Sequence, residues 1–177
     1  MNLGQTLLTL GMFVLLITSV ISANRMILQN AESNLKTEAM TGAATVARNL
    51  MQEAMSKAFD EKANRSGKQD TSAFTPSRSL GPTSLERSQV PIPDSSFVDE
   101  FKSKTDFDDF DDYDGYKRIA LENNISGFVA EAVVFYVEPW DPDTPTSKRT
   151  YYKVIKVKVS HPLYLDVPIE FSSLLSY

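Results

Sequence analysis

Hydrophobic and polar positions divide the 177-residue chain into four regimes. Residues 1–24 contain no Asp, Glu, Lys or Arg, and Arg25 is the first charged side chain. Leu3, Leu7, Leu8, Leu10, Met12, Phe13, Val14, Leu15, Leu16, Ile17, Val20 and Ile21 make this stretch strongly apolar. As an α-helix it spans about 36 Å, at about 1.5 Å per residue, against a bilayer hydrocarbon core of about 30 Å. Over residues 25–59 the pattern becomes one-sided. Leu28, Ala31, Leu35, Ala39, Ala43, Val46, Ala47, Leu50, Met51, Ala54, Met55 and Ala58 recur at steps of three and four, the stripe of an amphipathic helix. Glu32, Lys36, Glu38, Arg48, Glu53 and Lys57 form the polar face. Small Ala and flexible Met along the stripe suit close helix–helix approach. Gly42, near Thr41 and Thr45, is a point where the helix would bend or locally melt, since Gly costs about 1 kcal/mol relative to Ala. The two halves together predict one helix of roughly 55 residues, about 80 Å long.

Residues 60–98 are dominated by Ser, Thr and Pro and read as an extended surface loop. The final regime, 99–177, predicts a globular head built on strands. Residues 128–137 suit a strand buried on both faces. Residues 138–145 hold Pro139, Pro142 and Pro145 and read as a proline-laden hairpin loop that cannot continue a strand. In 151–160, Ile155, Val157 and Val159 alternate with Lys156 and Lys158. Val167, Ile169 and Phe171 then alternate with Pro168, Glu170 and Ser172. The expected fold is α+β: a long N-terminal helix, the handle of a lollipop, packed on a C-terminal antiparallel meander. Lys156, Lys158 and Glu170 would lie on its wet face.

Composition narrows the chemistry. The chain has no Cys, which excludes disulfides, thiolate metal sites and a Cys nucleophile. Its one histidine, His161, precedes Pro162 and reads as an exposed loop residue. Net charge is −5 with the basic residues dispersed, so a nucleic-acid partner is not expected. No Gly-rich phosphate loop, His cluster or triad is present, so neither an enzyme nor a small-molecule substrate is expected. The run from Asp106 to Tyr116 packs six aspartates into nine residues. Asp108, Asp109, Asp111, Asp112 and Asp114 are candidate oxygen ligands for Ca²⁺, outside the EF-hand pattern, which fails in register. The alternative is a turn whose Phe107, Phe110 and Tyr113 pack inward while the carboxylates face water. Asn64-Arg65-Ser66 and Asn124-Ile125-Ser126 match the N-x-S acceptor pattern, making Asn64 and Asn124 candidate glycosylation positions.

An uncharged N-terminal helix that continues as an amphipathic helix and closes on an antiparallel meander resembles the type IV pilin and pseudopilin family. The resemblance implies a structural subunit of an extracellular helical homopolymer, its head outside and its apolar helix in the filament core. It further implies storage in the inner membrane and delivery by an assembly platform there. The assembly positions are then Met1, Leu3, Gln5, Leu7, Leu8, Phe13, Leu16 and Ile17. With Met1 as the mature start, Gln5 stands where the family usually has an acidic residue. Cleavage after Gly4 would instead start the chain at Gln5 and put Thr9 at the fifth place. The helix-kinking proline of the family is missing, and Arg25 and Lys36 would by the positive-inside rule point the opposite way. The competing readings are a minor pseudopilin and a membrane-anchored binding module that uses Ca²⁺.

Overall fold

The computed structural model describes residues 2–62, 70–95 and 100–177. The fold is α+β, a long N-terminal helix and a mixed six-stranded sheet. Helix α1 (Leu3–Met55) runs 53 residues without interruption. The chain divides into two compact units, Met1–Glu38 and Ala39–Tyr177. In the first, the described residues are exposed throughout apart from the half-buried Lys36. In the second, α1 buries Ala39, Gly42, Ala43, Val46, Ala47, Leu50 and Ala54. The amphipathic stripe is therefore used only from Ala39 onward, and Leu28 and Leu35 stay exposed.

The Ala-rich half of the stripe packs on the sheet, as the α+β reading expected, and its small residues serve this contact within the described chain. Ala39, Ala43, Val46, Ala47, Leu50 and Ala54 share one core with Ala120, Phe128, Ala130, Ala132, Val134, Ile155, Val157 and Val159. Small side chains let the helix axis sit close to the strands. Gly42 belongs to this packing and is no hinge, for α1 passes through it unbroken. A Cβ there would lie 3.0 Å from Cζ of Phe128. The helix ends at Met55, short of the expected 58–59. The next turn is diverted into a short parallel bridge: Ala58 N–H donates to Asp108 C=O, and Phe110 N–H donates to Ala58 C=O. Phe59 then enters a second cluster with Phe74 and Tyr136.

The sheet runs in the order β1 (Asp94–Ser95), β2 (Lys117–Glu122), β3 (Ile125–Glu138), β5 (Tyr152–Ser160), β6 (Ile169–Ser176), with β4 (Asp141–Thr146) also on β3. The three expected strands are present and antiparallel, β3 to β5 to β6. Ile155, Val157 and Val159 face the core, and Lys158 pairs with Glu170 on the exposed side. Three strands were not expected. β1 adds in parallel to β2, and β2 joins β3 through a tight turn at Asn123 and Asn124, both at positive φ (49° and 61°). The Pro-rich segment is also a strand, β4, paired antiparallel to β3. Its prolines are tolerated because β4 is an edge, where a missing N–H faces no partner strand. β6 begins at Ile169, and Val167 is exposed.

The described part of the Ser/Thr/Pro-rich segment is packed rather than extended. It holds 3₁₀ turns at Thr71–Ala73 and Ser77–Ser79 and helix α2 (Ser84–Gln89). It buries Phe74, Glu86, Val90 and Asp94. His161 lies in the loop after β5, as expected, but is buried rather than exposed. Its Nδ1 accepts the N–H groups of Leu163 and Tyr164, so Nε2 carries the proton and donates to Ser126 C=O at 3.1 Å. The imidazole thereby closes the β5–β6 connection, with Phe128 edge-on and Tyr164 stacked against it.

Candidate functional site

Two features stand out: the apolar segment of α1 and the aspartate loop. The most apolar 18-residue window of α1 has a mean hydropathy of 2.2 and none of it is buried. α1 is thus long and apolar enough to cross a membrane, a test that a signal sequence near an N-terminus also meets. Leu3, Leu7, Leu8, Phe13, Leu16 and Ile17 are all exposed, at 53–81 % of their full surface. Gln5 is exposed too, and Met1 lies outside the described residues. Thr9 and Thr18 turn their hydroxyls back onto carbonyls of the preceding turn, which removes donors from the helix surface.

The aspartate loop follows the turn reading in its aromatic residues and departs from it in its carboxylates. Phe107, Phe110 and Tyr113 pack inward as expected, and Phe107, Tyr113 and Tyr116 meet edge to face. The carboxylates do not all face water: Asp109, Asp111 and Asp112 are each 3 % exposed. The aromatic triplet and the 3₁₀ turn at Asp111–Tyr113 draw the intervening carboxylates inward with the backbone. Asp109 Oδ1 accepts the N–H groups of Asp111 and Asp112, and Asp112 Oδ2 accepts those of Asp108 and Asp109. Much of the aspartate density is therefore local turn chemistry.

The five candidate ligands do not converge on one point. Asp114 accepts Val134 N–H and ties the loop to β3. Asp109 and Asp111 face Lys153 of β5, which donates to Asp111 Oδ1 at 2.6 Å and to Asp60 Oδ2 at 3.1 Å. Asp108 and Asp112 group instead with Glu86 of α2, with one ligand atom of each within 4.8 Å of the others. Glu86 also accepts Thr83 N–H and Oγ1–H in the capping box of α2. Three hard oxygen donors from Glu86, Asp108 and Asp112 match the chemistry of a hard divalent cation, with water completing its shell. Burial and the nearby Glu86 raise the Asp108 carboxyl above its ordinary value. Burial first, and then the charges of Asp111 and Asp112, push Asp109 up to about 9. Burial, with Glu86 and Asp111 adding, pushes Asp112 up to about 7, against the hydrogen bonds it accepts from backbone N–H groups.

No family model, curated protein or solved structure matches the chain. The assignment of its chemistry therefore rests on its own residues. Asn124 is exposed in the β2–β3 turn, while Asn64 lies outside the described residues.

Lys153, Glu53 and Arg118 are among the buried charged side chains that sequence reasoning missed, with Asp60, Glu86 and Asp94. Lys153 was read as part of the strand at 151–160 and is fully buried. Glu53 was placed on the polar face of the helix, yet its side chain is only 7 % exposed and pairs with Arg118 at 2.7 Å. Arg118 also lies over the Phe101 ring, 4.3 Å from its centroid. Glu53 and Arg118 line a groove of about 560 Å³ together with Val46, Asn49 and Gln52. A charge at a stripe-adjacent helical position and a basic residue inside an apolar alternation are weak signals. The Asn123-Asn124 pair between Leu121 and Ile125 was the available signal for β2.

Proposed function

We propose that this chain is the structural subunit of a helical homopolymer, held in a membrane by the apolar half of α1 before assembly and packed through it afterwards. The observation that carries the reading is a charge-free run of residues 2–24 that is exposed along its whole length. An exposed apolar surface of that extent demands a second environment, either lipid or copies of itself. The neutral Gln5 supports a buried destination, since an amide is cheaper to desolvate than a carboxylate. Anchorage and polymerisation use the same residues in turn, and an assembly platform in the inner membrane is the implied partner. The head, from Ala39 on, becomes the outer surface of the filament outside the cell.

The test is electron microscopy of material sheared from cells, combined with sizing of the detergent-extracted protein. Fibres made of this chain are the expected result. Leu16→Lys should abolish them while leaving the melting of the head unchanged. A protein that purifies as a discrete monomer in detergent, from cells without fibres of its mass, defeats the proposal in favour of a membrane-anchored module. Presence in filaments at a few copies per fibre would favour a minor pseudopilin.

A further inference from the structure

Within the unit Met1–Glu38, the exposed residues of α1 carry a repeat of seven. Counted in sevens from Leu7, the chain places Val14, Ile21, Leu28 and Leu35. Counted from Leu3, it places Leu10, Ile17, Asn24 and Ala31. The two rows interleave at steps of four and three from Leu3 to Leu35, longer than the about four heptads that mark a coiled coil. Inside the charge-free run the pattern is already selective, because Gln5, Thr6, Thr9, Thr18 and Ser19 all fall off this seam. Beyond that run it is decisive. Leu28 is 70 % and Leu35 43 % exposed, among Arg25, Glu32, Lys36 and Glu38. Those charges keep the stretch out of hydrocarbon, so lipid does not cover its apolar row. A seven-residue repeat also drifts by about 20° per heptad around a straight helix, and stays aligned only along a partner that supercoils with it. A sheet or a bilayer imposes no such period. The cover is therefore a helix with the same repeat, and a second copy of this chain supplies one.

We propose that residues 3–35 of α1 pair with the same residues of a second copy as a parallel two-stranded coiled coil, formed in the membrane. The inference rests on the reading of residues 2–24 as a membrane segment and not on polymerisation. Copies inserted in the same way carry their heads on one side, which makes the pair parallel. The eight large apolar seam residues, giving up about 100 Å² each, bury about 800 Å² per helix, the size of a standard interface. Charge does not oppose the pairing. Lys36 pairs with Glu32 along its own helix at 3.5 Å, off the seam. Across the pair the flanking contacts join Val20 to Arg25 and Ile27 to Glu32, so no like charges meet. Asn24 is the one polar seam position between Leu3 and Leu35. Two facing Asn24 amides each donate to the other's carbonyl oxygen. A lone polar residue in an apolar seam specifies register and oligomer state at a cost in stability. Within lipid the seam contributes packing alone, whereas water drives Leu28, Ala31 and Leu35 together above it.

The chain has no cysteine, so single cysteine substitutions report contacts between copies without background. Full-length chains carrying one cysteine each are oxidised in the membranes of the producing cells, after shearing has removed any fibres. Dimers are then read on non-reducing gels. Leu28→Cys, Ala31→Cys and Leu35→Cys should link about fivefold more than Gln29→Cys and Ser33→Cys, because a disulfide needs Cα atoms within about 7 Å. Leu28→Ser added to Ala31→Cys should remove most of the link while leaving the melting of the head unchanged. Equal yields at all these positions, or the highest yields at Gln29→Cys and Ser33→Cys, overturn the proposal. Asn24→Leu added to Ala31→Cys should keep the link and let amine cross-linking trap species larger than dimers; dimers alone would overturn the role of Asn24. Fibres without the seven-residue pattern sink the pair and spare the polymer, and the pattern without fibres does the reverse.

Discussion

Removing the Glu53 carboxylate is the sharpest probe of how α1 is held to the head. Its Oε2 accepts from Arg118 Nη1 at 2.7 Å, and its Oε1 accepts from Ser103 Oγ at 2.6 Å and Tyr113 OH at 2.9 Å. Glu53→Ala strips all three donors of their acceptor and leaves Arg118, 2 % exposed, as an uncompensated buried charge. Breaking a buried ion pair from one side costs about 3–5 kcal/mol. The three hydrogen bonds are not added to that figure, because they share one acceptor and are not independent. Set against a total stability of about 5–15 kcal/mol, the loss takes a large share of the margin. At roughly 2–4 °C per kcal/mol for a chain of this size, about 4 kcal/mol lowers the melting temperature by about 8–16 °C. Urea denaturation in detergent, followed by far-ultraviolet circular dichroism, reads the change. The double variant Glu53→Met with Arg118→Met should recover at least half of it, because apolar replacement of a buried pair is often neutral. It also removes Arg118 Nε, which has no hydrogen-bond partner among the described residues. A Glu53→Ala loss below about 1 kcal/mol would refute the reasoning, since it would mean that the pair is hydrated like a surface bridge.

Gly42→Leu should destabilise the head by about 2 kcal/mol, the overpacking against the buried Phe128 ring outweighing the gain in helix propensity; a more stable variant in the same denaturation would contradict the close packing. Stability should also fall as pH rises. Asp112 at about 7 and Asp109 at about 9 keep protons in the folded head that the unfolded chain releases near the ordinary value of 3.8. Their contribution is full below that value and lost progressively on the way to pH 7 for Asp112 and pH 9 for Asp109. A melting temperature higher at pH 8 than at pH 5 would argue against it, and Asp112→Asn should flatten the slope. Millimolar Ca²⁺ should raise the melting temperature through Glu86, Asp108 and Asp112, with Glu86→Gln cancelling the rise; a curve unmoved by Ca²⁺ and by chelator removes the cation reading.

How much of this was legible beforehand varied with the range of the interaction involved. Period alone located α1, β3, β5 and the start of β6, because a buried face imposes its repeat on the sequence wherever one element packs along its length. Period did not locate β4, where edge position overrides the ordinary exclusion of proline, nor β2, whose signal lay in the turn residues. In the candidate site, Phe107, Phe110 and Tyr113 were legible as an inward-facing set. The burial of the carboxylates beside them was not.

The sequence by itself determined the charge-free segment, the helix that carries it and the alternating strands of the head, since each follows from local spacing and from the avoidance of charge in apolar surroundings. Only the tertiary structure decided which charged residues go inside. Glu53 meets Arg118 across 65 residues and Lys153 meets Asp60 across 93. A buried charge is tolerable only where its partner waits, and that partner is chosen by the fold, at separations no local pattern records.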